Sequence, residues 1–354
     1  MSQTPLTSLP TPALLLDLDL MERNLSVMSE FFRAGRVGLR PHFKNHRVLA
    51  LAGRQIESGA IGITCARLWQ AEALAAHGVR NILLANEIAG GSALRQLAEL
   101  SRRAEVIAAV DNARVVTDMA RVARSSKASF DVVVDVDLGL KRCGVEAGEP
   151  ALALARLALA SGLRFRGLMG YEGHLQPILP GPEKDAAVLR AIDLLARSKA
   201  LLERAGIPVE IVSCGGTGDY RIVGRHPLVT EHQAGAYLLM DRWYAPFAPD
   251  FSPALSVLAT VISKTAGERI VVDAGVKAIS GERGLCSIKG QPALRVTALH
   301  AEHALIDILT PNIEIDVGDK LELDVQYHDG TVNLHRKMHG IRHGRVEQTL
   351  DIVH

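Results

Sequence analysis

Cysteine is scarce along this sequence and never paired: Cys65, Cys143, Cys214 and Cys286 lie far apart and form no C-x-x-C. That spacing excludes a zinc knuckle and a disulfide framework, and leaves the thiols as small apolar filler. Excess charge is missing too. Forty Lys and Arg against 39 Asp and Glu leave a formal net charge of +1, with no basic run long enough to track a phosphate backbone. Nucleic acid is therefore not an expected partner. The N-terminal stretch MSQTPLTSLPTPALLLDLDL has no charged leader or cleavage site. Its apolar run ALLL falls far short of the roughly 20 residues that a membrane-spanning helix needs. Internal repeats and low-complexity segments are absent. These absences together suggest a cytoplasmic protein with no membrane or nucleic-acid partner.

What is present is length and alternation. At 354 residues the chain has room for one large domain and a smaller one. Apolar strand-like runs alternate with Ala-, Leu- and Arg-rich helical patterns through the first two-thirds, the signature of parallel strands joined by crossover helices. The runs fall at residues 37–44, 61–66, 81–86, 106–110, 130–137, 163–171, 209–215 and 228–239. Eight is the number that closes a (β/α)8 barrel of the TIM type. From about Phe247 the texture becomes all-β, with strand-like runs at 255–263, 269–273, 294–298, 313–315, 320–325 and 331–335 punctuated by Asp-Gly and Gly-Asp. The expected domains are a barrel over 21–246 and a C-terminal β-domain over 247–354. Residues 13–17 form a ninth strand outside the barrel count, so segment 1–20 is a candidate to pair with the C-terminal sheet.

Barrel enzymes keep their chemistry at the C-terminal ends of the strands. The first strand ends in Arg40-Pro41-His42-Phe43-Lys44-Asn45-His46-Arg47, one lysine among two histidines and two arginines. Positive neighbours, and partial burial where the strand meets its loop, favour an uncharged amine that can attack an aldehyde, which makes Lys44 a candidate imine former. Arg142 follows the fifth strand, Tyr171 and His174 the sixth, and Gln233, Gly235 and Tyr237 lie in the eighth. The seventh ends in Ser213-Cys214-Gly215-Gly216-Thr217-Gly218, whose successive backbone N–H groups can approach one anion without side chains in the way. The loops after the last two strands are the usual phosphate place in such a barrel. A lysine, a phosphate cradle and a permanent cation able to stand beside a phenolate suggest pyridoxal 5′-phosphate.

Beyond these residues, the chain resembles a family, the fold-type III pyridoxal-phosphate enzymes of the D-threonine aldolase and D-serine dehydratase branch. TPALLLDLDLMERNL, RPHFKNHR, GITCARLWQAEAL, VDVDLGLKRCGV, SCGGTGDY, TEHQAGAYLLMD, DAGVKAIS, the AEH at 301–303 and DGTVNLH look like members' motifs in order, and they cover nearly the whole chain. The resemblance implies an alanine-racemase-like barrel followed by a β-domain, working as a homodimer. It implies that Lys44 carries the imine, that Arg142 sits near the cofactor and Tyr171 at its ring, and that Gly215, Gly216 and Thr217 hold the phosphate.

Two departures bear on the reaction. Metal-dependent members carry His-x-Asp or His-x-Cys just before Thr-Val-Asn, whereas this chain reads Tyr327-His328-Asp329-Gly330-Thr331-Val332-Asn333. Asp329 falls at the carboxylate or thiolate position, but Tyr327 occupies the histidine's. His328 is one residue off, and neighbours on a strand face opposite sides. A lost metal site is then the simpler reading, with His328 and Asp329 the candidate ligands for Mn²⁺, Mg²⁺ or Zn²⁺ if a bulge restores it. Aldolases also carry a histidine six residues after the sixth-strand tyrosine, where this chain has Pro177, so His174 either takes over that role or is structural. The leading expectation is a lyase that splits the Cα–Cβ bond of a β-hydroxy-D-amino acid, with Lys44 and His174 catalytic. The alternatives are a D-serine or D-3-hydroxyaspartate dehydratase, a racemase using Tyr327, and a non-catalytic carrier of the cofactor.

Overall fold

The computed structural model describes residues 4–265, 269–310 and 313–354. The chain divides into two compact units, one of Met28–Lys44 and Leu49–Gly235, the other of Met1–Val27, Asn45–Val48 and Ala236–His354. Among the described residues no helix is long and apolar enough to cross a membrane.

The first unit is the barrel. Its eight parallel strands lie in the order Gly38–Leu39, Glu231–His232, Ile211–Cys214, Arg164–Gly170, Asp131–Val136, Glu105–Val110, Asn81–Glu87 and Ile63–Cys65. A parallel bridge between His42 and Thr64, with the Ile61 N–H on the Leu39 carbonyl at 2.9 Å, ties the two ends together and closes the sheet. Every side chain of Asp131–Val136 is buried, which is why these strands read as continuous apolar runs rather than alternating ones. Leu83, Ile107, Ala109, Val133, Met169 and Ile211 fill the interior. Helices such as Leu68–Ala76, Gly91–Leu100 and Pro182–Arg204 follow the strands where their periodicity predicts. The eighth strand is shorter than the apolar run 228–239 suggests. It pairs only over Glu231–His232, and residues beyond Gly235 belong to the second unit.

The second unit is built on a nine-stranded sheet. Ala13–Asp17 lies between Leu255–Thr265, to which it is antiparallel, and Lys337–Arg342, to which it is parallel. Its five residues are almost wholly buried, as a central strand requires. Arg269–Val272, Leu294–Leu299 and Lys320–Asp324 are strands as expected. Four further strands, Thr4–Pro5, Ala304–Ile308, Lys337–Arg342 and Arg345–Asp351, lie outside the expected set. Two expectations fail: residues 313–315 form no strand, and the run at 331–335 is not a strand because His328–Val332 is a helical turn. Local bonding decides the turn. The Tyr327 carbonyl accepts from both the N–H and the hydroxyl of Thr331, at 3.1 and 2.9 Å, while the Asp241 carboxylate accepts from the His328 N–H at 2.9 Å.

Candidate active site

In the barrel unit, the first strand runs into the short turn Phe43–Asn45, and the Lys44 N–H donates to His42 Nδ1 at 3.4 Å. Lys44 Nζ stands 5.9 Å from the centroid of the Tyr171 ring, and the Arg142 guanidinium carbon 5.8 Å from the same centroid. Three strand ends thus bring an amine, a permanent cation and an aromatic ring together. Among the described residues Lys44 pairs with no carboxylate. The positive surroundings expected from its sequence neighbours are only partly there. Arg40 is buried and bidentate on Glu231, at 2.8 and 3.0 Å, and also donates to Asn81.

Asp137 shapes the loop that carries Arg142, its carboxylate accepting from the N–H groups of Gly139 and Lys141 at 2.9 and 3.0 Å. His174 sits exposed on the turn Gly173–Leu175, over Gly139, where a Cβ would approach the imidazole Nε2 to 3.3 Å. The absence of a side chain at Gly139 gives His174 its place.

The glycine-rich loop is more tied down than its sequence suggests. The Gly216 N–H donates to Asp219 and the Gly218 N–H to the Gln176 side chain, both at 2.9 Å, and Gln176 in turn donates to Asp219. Lys184, 1% exposed, holds the Gln176 carbonyl. Two of the amides counted as open to an anion are therefore already paired, which narrows the cradle. Behind the loop, His232 donates from Nε2 to the Gly216 carbonyl at 2.9 Å, and burial lowers its pKa, so it is a neutral Nε2–H imidazole. Glu172 is fully buried beside Tyr171, and burial, reinforced by Asp219, raises its pKa well above the usual carboxylate range.

Sequence reasoning missed a group around Arg142. Glu87, Asp111 and Cys143 place ligand-type atoms within 4.8 Å of one another. Asp135, 8% exposed, joins them; burial and then Glu87 push its pKa up to about 8. The Cys143 thiol is pushed up to about 11 by burial and then by its hydrogen bond to Glu87. All four lie at or just after strand ends, the rule that located Lys44 and Arg142 and that could have located these.

The second unit contains the remaining residues. Tyr237 is fully buried, off the barrel strand, with its ring 5.9 Å from that of Phe251. The structure corrects the expectation that His328 and Asp329 face opposite ways. On a helical turn adjacent residues are about 100° apart rather than 180°, and His328 Nε2 lies 3.5 Å from Asp329 Oδ1. Asp241, 1% exposed, accepts from His328 Nδ1 at 2.5 Å and from the Tyr244 N–H at 2.7 Å. Asn45 reaches both His328 and Asp329. Asp241 and Asn45 were not singled out from the sequence, although each stands inside a quoted motif. An imidazole nitrogen and a carboxylate oxygen at this separation, the imidazole held by a buried carboxylate, form a donor set that suits a hard or borderline divalent cation. Likewise the amine, the ring and the guanidinium of the barrel unit suit an aromatic aldehyde bearing negative charge.

A closed parallel barrel with a strand-end lysine facing an aromatic ring, in a chain that also folds a largely antiparallel sheet, defines the alanine-racemase-like class. Residues 16–242 match the family profile "Alanine racemase, N-terminal domain", and residues 254–341 that of the serine dehydratase domain. The chain is 36% identical to D-threonine aldolase of Arthrobacter sp., over 98% of its own length and 93% of that protein's. Among solved structures, D-threonine aldolase of Filomicrobium marinum superposes with a TM-score of 0.95 at 34% identity, covering 99% of this chain and 97% of that one. D-threo-3-hydroxyaspartate dehydratase of Delftia sp. HT23 superposes at 0.92 with 29% identity over 99% and 100% of the two chains. The chain belongs to this family, the D-threonine aldolase and D-serine dehydratase branch of the fold-type III pyridoxal-phosphate enzymes.

Proposed function

We propose that the protein is a lyase that cleaves the Cα–Cβ bond of a β-hydroxy-D-amino acid, releasing an aldehyde and glycine or another simple amino acid. The observation that carries this reading is the paired His328 Nε2 and Asp329 Oδ1, 3.5 Å apart, in a chain whose strand-end Lys44 faces Tyr171. Lys44 holds pyridoxal phosphate through its amine, Arg142 and Tyr171 attend the ring, Gly215, Gly216 and Thr217 take the phosphate, and Tyr237 completes the cofactor set. Bound there, the cofactor supplies an electron sink for negative charge developing at the substrate's α-carbon. His328 and Asp329 hold a divalent cation. In the barrel unit, His174 takes the proton of the substrate's β-hydroxyl as its C–O bond becomes a carbonyl and the Cα–Cβ bond breaks.

One feature weighs against a rival. Position 329 is Asp rather than Cys, which favours aldol cleavage over elimination. A relative, D-threo-3-hydroxyaspartate dehydratase, has been solved in a metal-free form, which supports a cation in this branch. Four free cysteines suit the cytoplasm, and the family resemblance supports a homodimer. The test is a panel of D-threonine, D-phenylserine, D-serine and D-3-hydroxyaspartate, scored separately for aldehyde, ammonia and optical inversion, with and without EDTA. Aldehyde release that EDTA abolishes is the expected result. Ammonia without aldehyde would assign elimination instead, and turnover indifferent to EDTA would remove the cation from the reaction.

A further inference from the structure

The pair His328 and Asp329 has a third polar neighbour, Asn45. Asn45 Nδ2 lies 2.9 Å from His328 Nε2 and 2.7 Å from Asp329 Oδ1. Because His328 Nδ1 faces the Asp241 carboxylate at 2.5 Å, Nδ1 bears the proton and Nε2 presents a lone pair. The Asn45 amide therefore gives one N–H to each of two acceptors. Its nitrogen thus stands at ligand-to-ligand distance from both acceptors, beside the place that a cation shared by them would take. An ion about 2.1 Å from each of two atoms at this separation subtends an angle of roughly 110° at the metal, within the normal range for four- to six-coordinate ions.

The surroundings are those of a built site rather than a chance surface contact. Asn45, His328 and Asp241 are 5%, 4% and 1% exposed. Asp241 is fixed independently by the His328 and Tyr244 backbone N–H groups, so it holds the imidazole from behind, as the carboxylate does behind a metal-bound histidine. A carboxamide is nearly symmetric in size about its Cβ–Cγ bond. Turning it over replaces Nδ2 by Oδ1 with little change in shape, and converts a hydrogen-bond donor into a third ligand, an oxygen.

We propose that His328, Asp329 and Asn45 form a three-ligand divalent-cation site, Asn45 entering through its amide oxygen, with Asp241 as the positioning residue that sets the imidazole. The proposal rests on the reading of His328 and Asp329 as a cation pair. It accounts for a site that survives Tyr327 at the family's histidine position: the helical turn moves the imidazole by one residue, and Asp241 and Asn45 complete it.

The test titrates the cofactor-loaded full-length protein with Mn²⁺ and reads the free ion by electron paramagnetic resonance, without reference to turnover. One Mn²⁺ per chain is expected. Asp241→Asn should weaken binding by about 10- to 100-fold, Asn45→Ala by about tenfold or more, and Asn45→Asp should bind at least as tightly as the parent. The cofactor's visible absorbance reports that each variant is folded; if Asp241→Asn does not fold, the two Asn45 variants carry the test. An Asn45→Ala protein that binds Mn²⁺ as tightly as the parent, or more tightly, would overturn the ligand role. Unchanged affinity in Asp241→Asn would overturn the positioning role. Unchanged affinity in His328→Ala would instead overturn the cation pair itself, so the two failures are distinguishable.

Discussion

Single side chains in this protein divide into those whose role follows from where the chain ends a strand and those whose role depends on a distant partner. His174 is of the first kind, exposed over Gly139 at the end of the sixth strand. As the base for the β-hydroxyl it should contribute about 10²- to 10⁴-fold to rate. His174→Gln should therefore lower kcat by that factor while leaving KM and the cofactor's visible spectrum nearly unchanged. A drop in cofactor occupancy with kcat per bound cofactor preserved would make His174 structural instead. Asp135 is of the second kind. Burial and Glu87 push its pKa up to about 8, whereas in the unfolded chain an aspartate titrates near 4. Between those values the folded state holds a proton that the unfolded state has lost, so stability falls as pH rises from about 4 to about 8 and levels off above. Asp135→Asn cannot ionise and keeps a donor toward Glu87. It should be more stable than the parent at pH 8, by on the order of 2 kcal/mol, with the gain vanishing near pH 4. Thermal melts at the two pH values decide this, and an equal gain at both would refute the assignment.

Elements were legible where one local pattern decided them. The barrel strands Asn81–Glu87, Glu105–Val110 and Asp131–Val136 were readable because each is a largely buried apolar run, and Lys44, Arg142 and Tyr171 were readable as residues at or after strand ends. Residues 331–335 misled because T-V-N-L-H alternates like a strand. The segment's fate was set by Asp241, 87 positions earlier in the chain, which binds the His328 N–H and ring. Asn45 was equally hidden, since its partners lie 283 and 284 residues away. The hairpin of Lys337–Arg342 and Arg345–Asp351 did leave a signal that was missed, the dipeptide His343-Gly344. Both residues have positive φ, 50° and 70°, the backbone of a two-residue type I′ turn. A β-branched residue is the worst choice there, so Gly344→Val should cost about 1–2 kcal/mol, although nothing lies within 4 Å of its Cβ position. A melt showing no loss would mean that the turn relaxes to another type. Gly344→Asn, which tolerates this backbone, should recover most of the stability.

At the scale of the molecule, the two sets of proposed ligands belong to different compact units. Lys44, Arg142, Tyr171 and the glycine-rich loop lie in the barrel unit; Asn45, Asp241, His328 and Asp329 lie in the other, and the chain passes from one to the other between Lys44 and Asn45. A ligand that binds only the native form stabilises what it binds by an amount set by its concentration relative to Kd, about 2.7 kcal/mol at a hundredfold excess. Where a protein opens in parts, that stabilisation slows amide exchange first in the part that holds the ligand. Hydrogen exchange followed by mass spectrometry should therefore show pyridoxal phosphate protecting peptides from the strand ends of Asp131–Val136, Arg164–Gly170 and Ile211–Cys214. Mn²⁺ should protect His328–Val332 and the segment around Asp241. Both ligands should protect residues 43–48, because the lysine and the asparagine are neighbours there. Protection by Mn²⁺ confined to the barrel strands, around Glu87, Asp111 and Cys143, would move the cation out of the second unit and onto the acidic group beside Arg142.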